Sequence, residues 1–121
     1  MNTKQKIIND ILNFLKNKFG VLERNIEMII GYKNKEDSKI NYLVLLGSIK
    51  NNDQWTSYSF NSLKSGEKVL AIGNITLIKQ IEKLNPFIIK PLEIGWPIFN
   101  EYCFQELKIK ISLIKKNMAL A

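Results

Sequence analysis

The fold of this chain is decided by residues 40–49, which read Ile-Asn-Tyr-Leu-Val-Leu-Leu-Gly-Ser-Ile. Every side chain at residues 43–46 is apolar, so a strand formed there would present apolar residues on both of its faces. Such a strand is stable only where other elements cover both faces of the sheet. The sequence therefore predicts that residues 40–49 form a central, buried β-strand.

Three further segments have the composition of β-strands. Residues 25–32 alternate between apolar and other side chains, which predicts a half-buried strand. Residues 54–60 follow a tight polar turn at 50–53. Residues 68–72 are again mostly apolar, which predicts a fourth strand, with a short helix as the alternative. Because strands that follow each other along the chain usually lie side by side, we predict an antiparallel meander of about four strands.

Helical periodicity marks the elements that would cover this sheet. Residues 3–19 place their apolar side chains on one face and are followed by Gly20, which suits the left-handed turn after a helix. A middle helix is predicted to start at Asn74 or Thr76 and to end near Leu84. Both helices are amphipathic, so each is expected to pack one face against the sheet.

Prolines shape the prediction for the rest of the chain. Residues 87–94 contain Pro91, which favours an edge strand or an extended segment. A C-terminal helix is predicted to start at Pro97 and to run to about residue 117. The sequence thus predicts one α+β domain over residues 1–121, with N-terminal, middle and C-terminal helices packed on the sheet.

The predicted C-terminal helix has more apolar surface than one buried face requires. Its polar side chains form a narrow stripe with steps of three and four residues: Glu101, Gln105, Lys108, Ser112 and Lys115. Most of the remaining circumference is apolar. Such a helix is either inserted deeply between other elements or shared with another chain, so we predict a possible homo-oligomer through this helix.

The chain is basic, and its positive charge is concentrated at the two ends. It has 121 residues, a formal net charge of +7, 17 lysines and a single arginine. Residues 1–20 and residues 103–121 each carry +3. The lysine excess either attracts nucleic acid or reflects A/T-rich codons, which also favour isoleucine and asparagine. The scarcity of arginine, the side chain that binds guanine and phosphate bidentately, argues against sequence-specific DNA reading.

Several kinds of chemistry are excluded by residue type. The chain has no histidine, which removes the commonest general base near neutral pH and the usual zinc sites. Its one cysteine, Cys103, excludes an internal disulfide and is predicted to be a small buried apolar residue. The six glycines form no nucleotide-binding motif. We therefore predict that the protein is not an enzyme and uses neither a cofactor nor a metal ion.

No apolar run reaches the ~18–20 residues that a membrane span requires. The first residues are basic and apolar, but Asn9, Asp10 and Asn13 interrupt any signal-peptide core. We therefore expect no membrane partner and a cytoplasmic location.

One strand suggests a contact surface. Trp55 follows the polar turn and shares a strand face with serines, an arrangement typical of an anchor in a protein interface. The predicted partner-binding residues are those of this hairpin and of the charged loop at 33–39, namely Trp55, Tyr58, Lys50, Asp53, Lys33, Lys35, Glu36 and Asp37.

These exclusions lead to an expected function. We predict a small bacterial binding protein that acts through protein–protein contact, such as an immunity protein that inhibits a toxin. The basic charge predicts a partner whose contact surface is acidic or neutral. The alternative is lysine-mediated nucleic-acid binding without sequence specificity, which should weaken steeply as the salt concentration rises.

Overall fold

The computed structural model describes residues 3–36, 38–47, 59–63 and 65–120, and within these ranges the fold is α+β. In chain order the elements are α1 (Thr3–Phe19), a 3-10 turn (Glu23–Asn25), β1 (Ile26–Tyr32), β2 (Asn41–Leu46), β3 (Ser59–Ser62), β4 (Lys68–Gly73), α2 (Asn74–Glu82), α3 (Pro86–Ile94), β5 (Trp96–Phe99) and α4 (Glu101–Leu120).

The sheet is mixed, so the predicted antiparallel meander is wrong. Its five strands lie in the order β3-β4-β2-β1-β5. The pairs β1–β2, β1–β5 and β3–β4 are antiparallel, whereas β2 and β4 are parallel. Composition explains why β4 lies next to β2: β4 holds four consecutive buried apolar residues, while β3 reads Ser-Phe-Asn-Ser and takes the edge. The predicted turn at 50–53 lies outside the described residues.

The prediction that β2 is covered on both faces is confirmed. All six residues of β2 are buried, and they alternate between two hydrophobic clusters. Leu43 and Leu45 belong to one cluster, and Tyr42, Val44 and Leu46 belong to the other. The sheet is therefore the middle layer of a three-layer structure.

The outer layers are both helical. α1 contributes Ile11 and Leu15 to the cluster on one face of the sheet. α2, α3 and α4 cover the other face, with Leu77, Leu92 and Phe104 among their buried side chains. β1 is consequently buried on both faces, and the half-buried strand predicted for residues 25–32 is wrong. A register shift between Ile26 and Met28 places Ile26 in the same cluster as Ile29, although the two residues are three positions apart.

The first two helices lie close to their predicted bounds. α1 ends at Phe19, and Gly20 adopts a φ of +69°, the left-handed conformation expected after a helix. α2 begins at Asn74, directly after β4.

α3 replaces the edge strand that Pro91 predicted. Asn85 caps this helix by accepting a hydrogen bond from the Phe87 amide at 3.0 Å, and Pro86 occupies its first turn, where a missing N–H costs nothing. Pro91 removes one internal hydrogen bond, but α3 has only nine residues and Pro91 is buried. Tertiary packing therefore outweighs the local preference of Pro91.

The start of the C-terminal helix was also predicted wrongly. Residues 96–99 form the edge strand β5, and α4 begins at Glu101. Pro97 is tolerated in β5 because an edge strand pairs on one side only. Among the helices of the described residues, none combines the length and the apolar composition that a membrane span requires.

The pairing of β5 with β1 depends on Gly31. Gly31 lies opposite Trp96, and a β-carbon at position 31 would lie 2.9 Å from Cε2 of the Trp96 indole. We predict that Gly31→Ala lowers the free energy of unfolding by about 1–3 kcal/mol, because the indole must move aside. Urea denaturation measures the effect.

Trp96→Ala is the control for this prediction. In that background the indole is gone, so Gly31→Ala should cost much less in a double-mutant cycle. An equal cost in both backgrounds would show that the Trp96 ring does not lie over Gly31.

Candidate contact surface

The structure describes three of the eight predicted partner-binding residues. Lys33, Lys35 and Glu36 lie in the turn between β1 and β2, and all three are exposed. The other five, Trp55, Tyr58, Lys50, Asp53 and Asp37, lie outside the described residues. The part of the prediction that rests on the hairpin therefore stays a prediction.

The charged turn is adjacent to the start of β5. Trp96 pairs with Gly31 of β1, and Lys33 follows Gly31 by two residues, directly after the end of β1 at Tyr32. By contrast, Gly47 and Ser59, which flank the undescribed segment, lie toward the opposite end of the sheet. The described residues therefore bring the charged turn close to Trp96, a neighbour that the sequence did not suggest.

β5 carries two exposed aromatic side chains on an edge of the sheet. Trp96 and Phe99 are 40% and 44% exposed. Phe99 falls within the predicted C-terminal helix, but residues 96–99 form an edge strand and not the first turn of a helix. We call these two residues and three residues of the charged turn the β5 surface: Trp96, Phe99, Lys33, Lys35 and Glu36.

Asn100 holds β5 and α4 in a defined relative position. Its φ of +66° lies in the left-handed region, which asparagine tolerates better than most residues. Its side-chain oxygen accepts a hydrogen bond from the Cys103 amide at 3.2 Å, and its side-chain nitrogen donates one to the Glu27 carbonyl at 2.7 Å. The first bond caps α4 and the second ties the turn to β1.

α4 is covered on one face only. Its buried residues are Phe104, Leu107 and Ile111, and Cys103 and Ile114 are partly buried beside them. α4 is therefore not inserted between other elements, which was one of the two predicted arrangements.

A second apolar face of α4 points to solvent. Tyr102, Ile109 and Leu113 are 74%, 60% and 55% exposed. At ~100° per residue these three fall within an arc of about 40°, roughly opposite the buried face. We call them the α4 stripe. The sequence showed that α4 is apolar over much of its circumference, but it could not show which part faces the sheet.

The two positively charged ends of the chain lie on opposite sides of the sheet. α1 packs on one face and α4 on the other, so their lysines do not join into one basic surface. Within α4, Lys115 forms an ion pair with Glu93 at 2.7 Å, and Lys108 lies over the Phe104 ring. This separation weakens the nucleic-acid alternative, because a duplex would meet only one of the two charged helices at a time.

A cleft of about 580 Å³ opens beside the carboxyl ends of β2 and β4. This is the position at which open α/β sheets commonly bind ligands. The lining is mainly apolar, and its polar side chains are Glu27, Asn74, Lys79, Glu82 and Cys103. Within the described ranges, no three His, Cys, Asp or Glu side chains come together to hold a metal ion.

Cys103 is the only thiol in the chain, and its surroundings disfavour the thiolate. Burial raises the pKa of the Cys103 thiol, and the charges of Glu27 and Glu106 raise it further. The thiol is therefore protonated near neutral pH, and a protonated thiol is a poor nucleophile. Cys103 is half-buried, and thus less enclosed than the sequence predicted.

The chain matches no protein-family model, no curated protein and no solved structure at a significant level. The function is therefore argued from the residues of the chain itself.

The raised pKa of Cys103 predicts a pH dependence. The folded state holds the thiol proton to a higher pH than the unfolded state, so this contribution to stability is complete below the ordinary thiol pKa. It is lost as the pH rises through the raised value. Alkylation of the native protein by iodoacetamide should consequently accelerate at a higher pH than alkylation in urea.

The urea-unfolded chain serves as the reference, because its thiol is fully hydrated. A native alkylation profile at or below the pH of the unfolded profile would contradict the prediction. Cys103→Ala provides the blank for reaction at other groups.

Proposed function

We propose that this protein is a non-catalytic binding protein that acts by contact with another protein through the β5 surface. The observation that supports this proposal is the exposure of Trp96 and Phe99 on an edge strand, next to a turn of exposed charged residues. By contrast, Tyr32 in β1 and Tyr42 in β2 are only 7% and 3% exposed.

The composition of the β5 surface is that of a protein interface. Such interfaces combine aromatic residues, which supply most of the binding energy, with a polar rim that stays in contact with water. Trp96 and Phe99 would provide the aromatic centre, and Lys33, Lys35 and Glu36 would provide the rim. The Trp96 ring lies against Gly31, so it is held in position before a partner arrives.

Side chains, and not strand addition, would dominate recognition. None of the described strands pairs with the outer edge of β5, but β5 is four residues long and contains Pro97, which has no backbone N–H to donate. Short edge strands with proline are poor templates for another strand.

The available chemistry also favours binding over catalysis. The chain has no histidine, and its one thiol is protonated near neutral pH. The chain therefore provides neither a histidine general base nor a reactive thiolate near neutral pH.

We propose inhibition, as in a bacterial immunity protein, as the specific form of this binding. The β5 surface is held by the β1–β5 pair and by the two side-chain hydrogen bonds of Asn100, and a rigid surface loses little entropy on binding. With a net charge of +7 on the chain, the partner would have an acidic or neutral contact surface.

Affinity capture with matched variants tests the proposal. We expect the wild-type chain to retain a protein partner after nuclease treatment and at high salt, because buried aromatic contacts respond little to ionic strength. Trp96→Ala should weaken that complex by about tenfold or more. Phe87→Ala is the matched control, because Phe87 is an exposed aromatic residue on α3, outside the β5 surface, with 70% of its surface exposed against 40% for Trp96.

Two outcomes would contradict the proposal. One is loss of all binding after nuclease treatment, which would favour the nucleic-acid alternative. Another is an equal effect of Trp96→Ala and Phe87→Ala. For the inhibitory form, the decisive measurement is the enzymatic activity of the isolated partner, which should fall as the wild-type chain is added and should not fall with Trp96→Ala.

A further inference from the structure

We propose that α4 binds α4 of a second copy of this chain in an antiparallel arrangement, through the α4 stripe. This inference goes beyond the proposed function and uses a different surface. It rests on the position of the apolar residues of the stripe and on the order of the charged residues between them.

The stripe has the spacing of a helix–helix seam. Tyr102, Ile109 and Leu113 follow one another at steps of seven and four residues, which keeps them on one side of a helix. They point away from the sheet, because the opposite side of α4 carries Phe104 and Leu107 into the core. Another helix can therefore lie along the stripe without displacing any of the residues that the structure describes.

Glu106 and Lys116 continue the same side of the helix. Glu106 lies between Tyr102 and Ile109 at steps of four and three, and Lys116 lies three residues after Leu113. Both are exposed. Tyr102 and Glu106 are hydrogen-bonded, and this bond raises the Tyr102 pKa. The charged and the apolar residues therefore form one continuous row.

This row is complementary to itself when reversed. Ile109 and Leu113 lie two residues on either side of position 111, and Glu106 and Lys116 lie five residues on either side. A twofold axis level with position 111 would place Ile109 against the partner's Leu113. The same axis would place Glu106 against the partner's Lys116. Two symmetric glutamate–lysine ion pairs would then flank an apolar centre.

The charge order distinguishes antiparallel from parallel pairing. In a parallel pair Glu106 would face its own copy, and so would Lys116, and both contacts would be repulsive. Lys110 approaches its own copy in the antiparallel pair, but it lies at the edge of the seam, where a long side chain can turn into solvent. Self-complementarity is what a twofold interface requires, and it is why a second copy is the occupant that fits this face.

The contact is small, so the dimer should be weak. Two helices that meet along one face bury an area at the low end of specific interfaces, which corresponds to a dissociation constant of the order of micromolar. Sedimentation equilibrium from roughly 5 to 500 µM covers the range in which such a dimer forms.

Charge exchange tests the predicted pairing. Glu106→Lys alone and Lys116→Glu alone should each weaken self-association by roughly fivefold or more, because each places like charges opposite one another at two symmetric positions. The double variant Glu106→Lys/Lys116→Glu restores opposite charges and should return to near the wild-type dissociation constant. Both substituted positions are exposed, so we expect the fold to be retained.

Substitutions of two exposed isoleucines, Ile109 in the α4 stripe and Ile75 outside it, test the contribution of the apolar residues to the dimer. Ile109→Glu should abolish the dimer within this concentration range, whereas Ile75→Glu should leave it unchanged. Ile75 is 71% exposed on α2, so it controls for the loss of an exposed isoleucine and the added negative charge.

Three results would each contradict this dimer. The first is a wild-type chain that stays monomeric over the whole concentration range. The other two are a double charge variant that self-associates no more tightly than the single variants, and dissociation of the dimer by Ile75→Glu. These results are separable from the proposed function. If only self-association fails, Ile109→Glu and the wild type will capture the same partner. If only the proposed function fails, Trp96→Ala will still dimerise.

Discussion

The side chains of β2 alternate between two hydrophobic clusters, and the rest of the fold depends on this double burial. β2 lies between β1 and β4, so both edges of its backbone are paired. Leu43 and Leu45 require helices on one face of the sheet, and Val44 and Leu46 require a helix on the other. A single helical layer would leave one of these sets in water, at a cost of ~1.5–3 kcal/mol per side chain.

The unequal division of helices between the two faces explains why α4 has an exposed apolar side. α1 alone covers one face, whereas α2, α3 and α4 share the other. Because three helices cover this face, α4 buries only one side against the core, with Phe104, Leu107 and Ile111 as its buried residues. Tyr102, Ile109 and Leu113 lie outside this core and are exposed, which is why they are available for a contact outside the chain.

The two proposed contact surfaces are separate but rigidly connected. The β5 surface lies at the edge of the sheet, and the α4 stripe lies on the outer side of the helical layer. Asn100 joins them, because one side chain both caps α4 and holds the turn to the Glu27 carbonyl. Dimerisation through the α4 stripe would therefore present two copies of the β5 surface.

The elements whose own composition determines their structure could be predicted from the sequence. α1 with Gly20, the buried strand β2 and the apolar strand β4 are of this kind, because a strong periodic pattern or a run of apolar residues leaves one stable environment. The predictions that rested on Pro91 and Pro97 are wrong. The packing of α3 outweighs the local preference of Pro91, and β5 tolerates Pro97 because it pairs on one side only. Residues 100–120 illustrate the limit: the sequence determined an apolar helix, but only the tertiary structure decided which of its faces meets the sheet and which meets water. That choice depends on the space left between α2, α3 and β1, and contacts between distant parts of the chain have no local signature in the sequence.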